Sequence, residues 1–123
     1  MNNFVVWLDS EEAKIFELKP AGIESSHLKK VDTDHHRRHK KDSNDNHNTL
    51  HYFHDLTLKI KSADQLLLLG PGLAKTHFKS HIESHLPDTL AKKIIGLENL
   101  ENVSDNQIMA AAHKFFKHYD LFN

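Results

Sequence analysis

The chain has 123 residues, 38% of them hydrophobic and 27% charged, with a formal net charge of -1. That suits one compact domain with a modest core and excludes a disordered polyelectrolyte. A near-neutral balance also excludes a globally basic nucleic-acid binder, so any polyanion contact must come from a local patch.

No cysteine is present, which removes disulfides and thiolate metal sites and fits a reducing compartment. The start MNNFVVWLDSEE has no basic region before its apolar run, and Asp9, Glu11 and Glu12 interrupt that run early, unlike a signal peptide. The longest apolar run, Leu66 to Leu69, is far shorter than the roughly 20 residues a membrane span needs. These features predict a soluble, cytoplasmic protein of bacterial type with no membrane partner. Twelve histidines stand out. Their charge should change steeply between about pH 7 and pH 5.5.

Phe4 to Leu8 is β-branched and aromatic and predicts a buried strand. After the polar turn Asp9 to Glu12, Ala13 to Leu18 alternates. Ala13 and Ile15 point one way, Lys14, Phe16 and Leu18 the other, so the two segments predict a hairpin. Pro20-Ala-Gly22 makes the next turn, and Ile23 to Val31 predicts a weaker, partly polar third strand. Residues 32–48 hold almost no apolar side chain and predict a long solvated loop, of the kind that often carries function.

From Leu50 the period becomes helical. Leu50, Phe53, Leu56, Thr57 and Ile60 predict a helix over 48–62, with Asn48 or Thr49 as its cap. Asp64 to Leu69 runs into Gly70-Pro71-Gly72 and predicts a central strand covered on both faces. A helix is expected over 73–85, a short helical turn over 87–93 and a strand over 94–100. Ser104 and Gln107 form a capping box for a last helix to about Tyr119, which would bury Ile108, Ala111, Ala112, Phe115 and Phe116. The order βββαβαβα predicts one α/β domain spanning 1–123, with a mixed sheet that is partly parallel and helix-covered.

These segments resemble the central domain of the archaeal–eukaryotic release factor and Pelota family. The resemblance lies in the hairpin Val5 to Phe16, the long polar loop, and Leu66 to Leu69 running through Gly70 to Lys75 and Thr76. It looks closest to small stand-alone versions described as translational machinery proteins. It implies a ribonuclease-H-like architecture, without implying nuclease activity. In release factors the loop after the third strand carries Gly-Gly-Gln, which promotes peptidyl-tRNA hydrolysis. The segment Asp32 to Asn48 contains neither glycine nor glutamine. The resemblance therefore implies a translation-associated protein without that chemistry.

Three groups of residues invite a functional reading. Lys29 to Lys41 holds six Lys/Arg against Asp32 and Asp34. Arg37, Arg38, Lys40 and Lys41 suit phosphate, and a flexible basic segment can fold onto RNA. A plain solvated loop and a metal-binding tract of His35, His36 and His39 are the competing readings. Gly70-Pro-Gly72 precedes a helix bearing Lys75, a second expected RNA contact, since helix starts attract anions. An ordinary strand-to-helix turn competes with it. The spacing does not match a Walker A loop. His77, His81 and His85 recur every four residues along one helix face, where two imidazoles can chelate zinc or nickel. The glutamate that a zinc peptidase needs after the first histidine is replaced by Phe78. His47, His51 and His54 are expected on one side of the preceding helix. No acid/base pair or nucleophile elbow is present. The reading that follows is a non-enzymatic protein that contacts ribosomal RNA or tRNA, needs no cofactor, and has divalent-metal binding (Zn or Ni) as its alternative.

Overall fold

The structure, a computed structural model, describes residues 2–31 and 41–122, with residues 41–46 and 121–122 described by their backbone alone. Strands β1 (Asn3–Leu8), β2 (Glu12–Lys19) and β3 (Gly22–Lys29) form an antiparallel meander. Helix α1 (Lys41–Ile60) leads to β4 (Gln65–Gly70), α2 (Ala74–His85), a 3-10 turn (Leu90–Lys93), β5 (Ile94–Asn99) and α3 (Asp105–Phe122). The sheet order is β3-β2-β1-β4-β5, with β4 parallel to both β1 and β5. This is the expected order of elements and the expected mixed sheet.

The period-two alternation divides the core between two faces, as strand geometry requires. Phe4, Val6, Leu8, Ala13, Ile15, Leu66 and Leu68 meet Tyr52, Phe53, Leu56 and Ile60 of α1 and Phe78 and Ile82 of α2. Val5, Trp7, Phe16, Leu67 and Leu69 meet Ile108, Ala112 and Phe116 of α3. A continuous leucine run in β4 is therefore buried on both sides. Trp7 Nε1 donates to Leu100 O at 2.9 Å, which satisfies the one polar atom that its burial would otherwise orphan. Ser104 and Gln107 form the expected capping box: Gln107 N donates to Ser104 Oγ at 3.3 Å and Ser104 N donates to Gln107 Oε1 at 3.1 Å. Ala111 and Phe115 are only half-buried. Phe115 lies across β5 at Gly96, where a Cβ would come within 2.3 Å of its ring.

Several boundaries differ from the sequence expectation: the 3-10 turn starts at Leu90 rather than at 87, and the last helix runs on to Phe122. Helix α1 begins at Lys41, so residues 41–48 are helical rather than loop. Their polarity says only that they cannot bury a face. A helix nucleated over the apolar stripe of 50–60 propagates backward at one hydrogen bond per residue, and no glycine or proline between Lys41 and Ile60 stops it. The rest of the expected loop, 32–40, lies outside the described residues. Strand β3 ends at Lys29, short of Val31. It is an edge strand, exposed along most of its length, with Ile23 at 48% exposure.

Candidate nucleic-acid interface

The sheet gathers several of the candidate residues at one end. Strands β1, β3, β4 and β5 all point the same way, since β1 and β3 flank β2 antiparallel and β4 runs parallel to β1. Their C-terminal ends are the Asp9–Glu11 turn, Lys29, the Gly70-Pro71-Gly72 turn and Asn99. In α/β sheets this is the end where ligands bind. Lys30 N donates to Glu11 O at 2.7 Å, which ties the exit of β3 to the β1–β2 turn. The basic stretch therefore begins at this end of the sheet.

Of the expected RNA contacts, Arg37, Arg38 and Lys40 lie outside the described residues, and Lys41 is the first residue of α1. Lys75 is placed differently from its sequence expectation. It is only 4% exposed, and its Nζ donates to Gly72 O at 2.6 Å. The ammonium closes its own turn instead of reaching outward. This gives Lys75 a structural task. Sequence reasoning could place it in the first helical turn but could not fix the direction of a flexible four-carbon stem.

The same end also carries negative charge. Asp9 Oδ1 accepts from the amides of Glu11 and Glu12 at 2.8 and 2.9 Å. Glu12 pairs with His27 at 2.5 Å. Tyr52 donates from its hydroxyl to Asp9 O at 3.1 Å. Burial pushes the Tyr52 hydroxyl far above its ordinary range, and Asp9, Glu12 and Glu11 push it further, so it remains a donor throughout the neutral range. Tyr52 also lines a cavity of about 270 Å3 with Ser10, Thr49, Phe53, Leu73, Ala74 and His77.

The histidines separate. His77 is exposed and lines that cavity, which His81 and His85 do not line. His47 and His51 pack edge-on, 4.5 Å apart, beside Lys29, Asn48, Tyr52 and Asp55. His54 instead joins His81 and His85 in a groove of about 490 Å3 between α1 and α2, with Leu50, Thr57, Leu58, Lys61 and Leu86. The expected shared side for His47, His51 and His54 is thus divided. Seven residues of helix cover about 10 Å at 1.5 Å per residue, so the two ends of the row meet different neighbours. His35, His36 and His39 lie outside the described residues. Among the described residues no three histidine or carboxylate side chains stand ready to hold a metal ion.

Burial holds the His81 imidazole below its ordinary value, and His85 and His54 add repulsion. The neutral form is therefore favoured in the fold, while the unfolded imidazole protonates near about pH 6.5. Below that pH the unfolded state binds more protons, so acidification destabilises. Replacing His81 with Gln should flatten the loss of Tm between about pH 7.5 and pH 5.5 in chelator-containing buffer. An unchanged slope would remove His81 from the cause.

No family model matches the sequence. The chain is 32% identical over 108 residues to the protein pelota homolog of Methanocaldococcus jannaschii, covering 81% of this chain and 28% of that protein. Among solved structures, Pelota of Archaeoglobus fulgidus superposes with a TM-score of 0.66 at 16% identity, over 92% of this chain and 31% of that one. Pelota of Thermoplasma acidophilum gives 0.61 at 18% identity, over 86% and 30%. The archaeal translation termination factor aRF1 gives 0.58 at 16% identity, over 98% and 40%. The chain spans less than half the length of each of these proteins. No described helix is long and apolar enough to cross a membrane. Sequence identity over most of the chain and the shared α/β fold together identify it as a protein of the Pelota and release-factor-like domain type.

Proposed function

We propose that the protein acts in translation and contacts ribosomal RNA or tRNA through the basic stretch Lys29 to Lys41, without catalysing peptidyl-tRNA hydrolysis. The observation that carries this reading is the sequence similarity to a Pelota protein. It is joined to a stretch with six Lys/Arg and two Asp that begins at the C-terminal end of the sheet. The absence of catalysis rests on the sequence: the four glycines are Gly22, Gly70, Gly72 and Gly96, so no Gly-Gly-Gln occurs. With Lys75 engaged by Gly72, the contact falls to Arg37, Arg38, Lys40 and Lys41.

Ribosome co-sedimentation across a salt series tests it. Each phosphate contact contributes about 0.7 to the slope of log affinity against log salt on a single strand. Arg37/Arg38→Ala should therefore lower the magnitude of the slope by about 1.4 and weaken binding most at low salt. A wild-type protein that shows no salt-sensitive association with ribosomes or RNA would overturn the proposal.

A further inference from the structure

We propose that the open edge of β5, with the groove between β5 and α3, receives an extended acidic segment of a partner protein as an added strand of the sheet. β5 is the last strand in the sheet order, and no described strand lies beyond it. After the register shift at its start, Gly96 to Asn99 pairs regularly with β4. Leu100 N donates to Gly70 O at 3.1 Å, so Leu100 turns its backbone groups toward β4. By strand alternation Gly96 and Glu98 do the same, and Leu97 and Asn99 turn theirs outward. Natural edges are often blunted by lysine or proline, and β5 contains neither.

The adjoining groove specifies what fits. It has a volume of about 540 Å3 and is lined by Glu98 of β5 and by Ala111, Lys114, Phe115, Lys117 and His118 of α3. Ile108, Ala112 and Phe116 fix the other side of α3 against β1, β2 and β4, which leaves this side next to the edge strand. Phe115 lies across Gly96 and is half-buried, so it offers an aromatic floor. A strand added to β5 sets alternate side chains over that floor, where one apolar anchor gives specificity while backbone bonds give affinity. The rim sets the charge. Lys114 and Lys117 are exposed, and among the described residues neither pairs with a carboxylate. Two lysines against the single Glu98 select an acidic partner. A second copy of this chain fits poorly. Two-fold pairing of β5 with β5 would bring two α3 helices together on one face, lysines against lysines. A nucleic acid can neutralise the lysines but has no amides and carbonyls at strand spacing. The surface lies at the opposite edge of the sheet from β3, so it is independent of the RNA contact proposed above.

The test titrates the full chain into fluorescein-labelled peptides of about ten residues, the length of a long strand, and reads anisotropy. One peptide alternates valine and glutamate around a central phenylalanine, and the other has lysine in place of glutamate. The acidic peptide should bind with a Kd below about 100 µM and at least about tenfold tighter than the basic one. The exposed pair Lys114→Glu/Lys117→Glu should reverse that order. N-methyl groups on alternate residues block one edge of the acidic peptide. One phase of methylation should abolish binding and the other should leave it, since only one edge meets β5. Equal effects of the two phases would overturn strand addition. So would an acidic peptide that does not bind, or a lysine exchange that leaves the preference unchanged. An oligouridine that binds through Lys114 and Lys117 in its place would give the surface to RNA. A dimer seen by sedimentation and abolished by Asn99→Pro, which removes an outward amide, would give the edge to a second copy. Either result would overturn the proposal.

Discussion

Replacing Gly70 with Ala should be among the most damaging single changes in the chain. A Cβ built there would lie 2.0 Å from Leu8 O, and φ is +151°, in the region that favours glycine. The left-handed strain costs about 1–3 kcal/mol, and forcing a methyl into a filled space adds about 1–3 more. Leu8 cannot retreat, because it is fully buried and paired with Ala13 across β1 and β2. The combined loss of about 4 kcal/mol is a large share of the roughly 5–15 kcal/mol available to a domain. Gly72→Ala is the control. A Cβ there meets nothing within 4 Å and only the positive φ of 60° opposes it, so about 1–2 kcal/mol is expected. Urea unfolding of both variants checks the contrast. A loss at Gly70 no larger than that at Gly72 would show that the close approach of β1 is not what requires glycine.

Phe78→Ala should cost about 3–5 kcal/mol, as buried aromatic truncations do. Phe78 is fully buried where α2 meets α1 and the sheet, with its ring centroid 5.3 Å from that of Phe53. With Ile82 it forms the apolar anchor of α2. Removing it should leave a void and free the helix that carries His77, His81 and His85. Phe78→Leu keeps most of the volume and should cost less than half as much. Denaturant unfolding gives the size of the loss. Amide hydrogen exchange gives its place: protection should fall most in α2 and least in β1 and β2. A uniform loss of protection across all elements would mean that α2 has no separate attachment.

The fold was legible where a pattern repeats locally. The β-branched run of β1, the alternation of β2 and the leucine block of β4 each declare a strand, and the glycine and proline that follow β4 declare its end. The spacing of Phe53, Leu56, Thr57 and Ile60 declares α1, and Ser104 with Gln107 declares the start of α3. The start of α1 was not legible, because helix propagation from Lys41 to His47 needs no buried face and leaves no apolar period. The half-burial of Phe115 was equally hidden, since it depends on Gly96 standing opposite Leu67 across a register shift between β4 and β5.

For the candidate site, the sequence by itself determined the chemistry present. It holds a stretch of positive charge, no cysteine, no Gly-Gly-Gln and a row of histidines. The tertiary structure decided what those groups face. It turned Lys75 inward onto Gly72, sent His77 to one cavity and His81 with His85 to another, and made Gly70 a point of contact with Leu8. Spacing along a chain sets only which side chains share a face. What each face meets depends on elements tens of residues away, and on a strand register that local preferences do not encode.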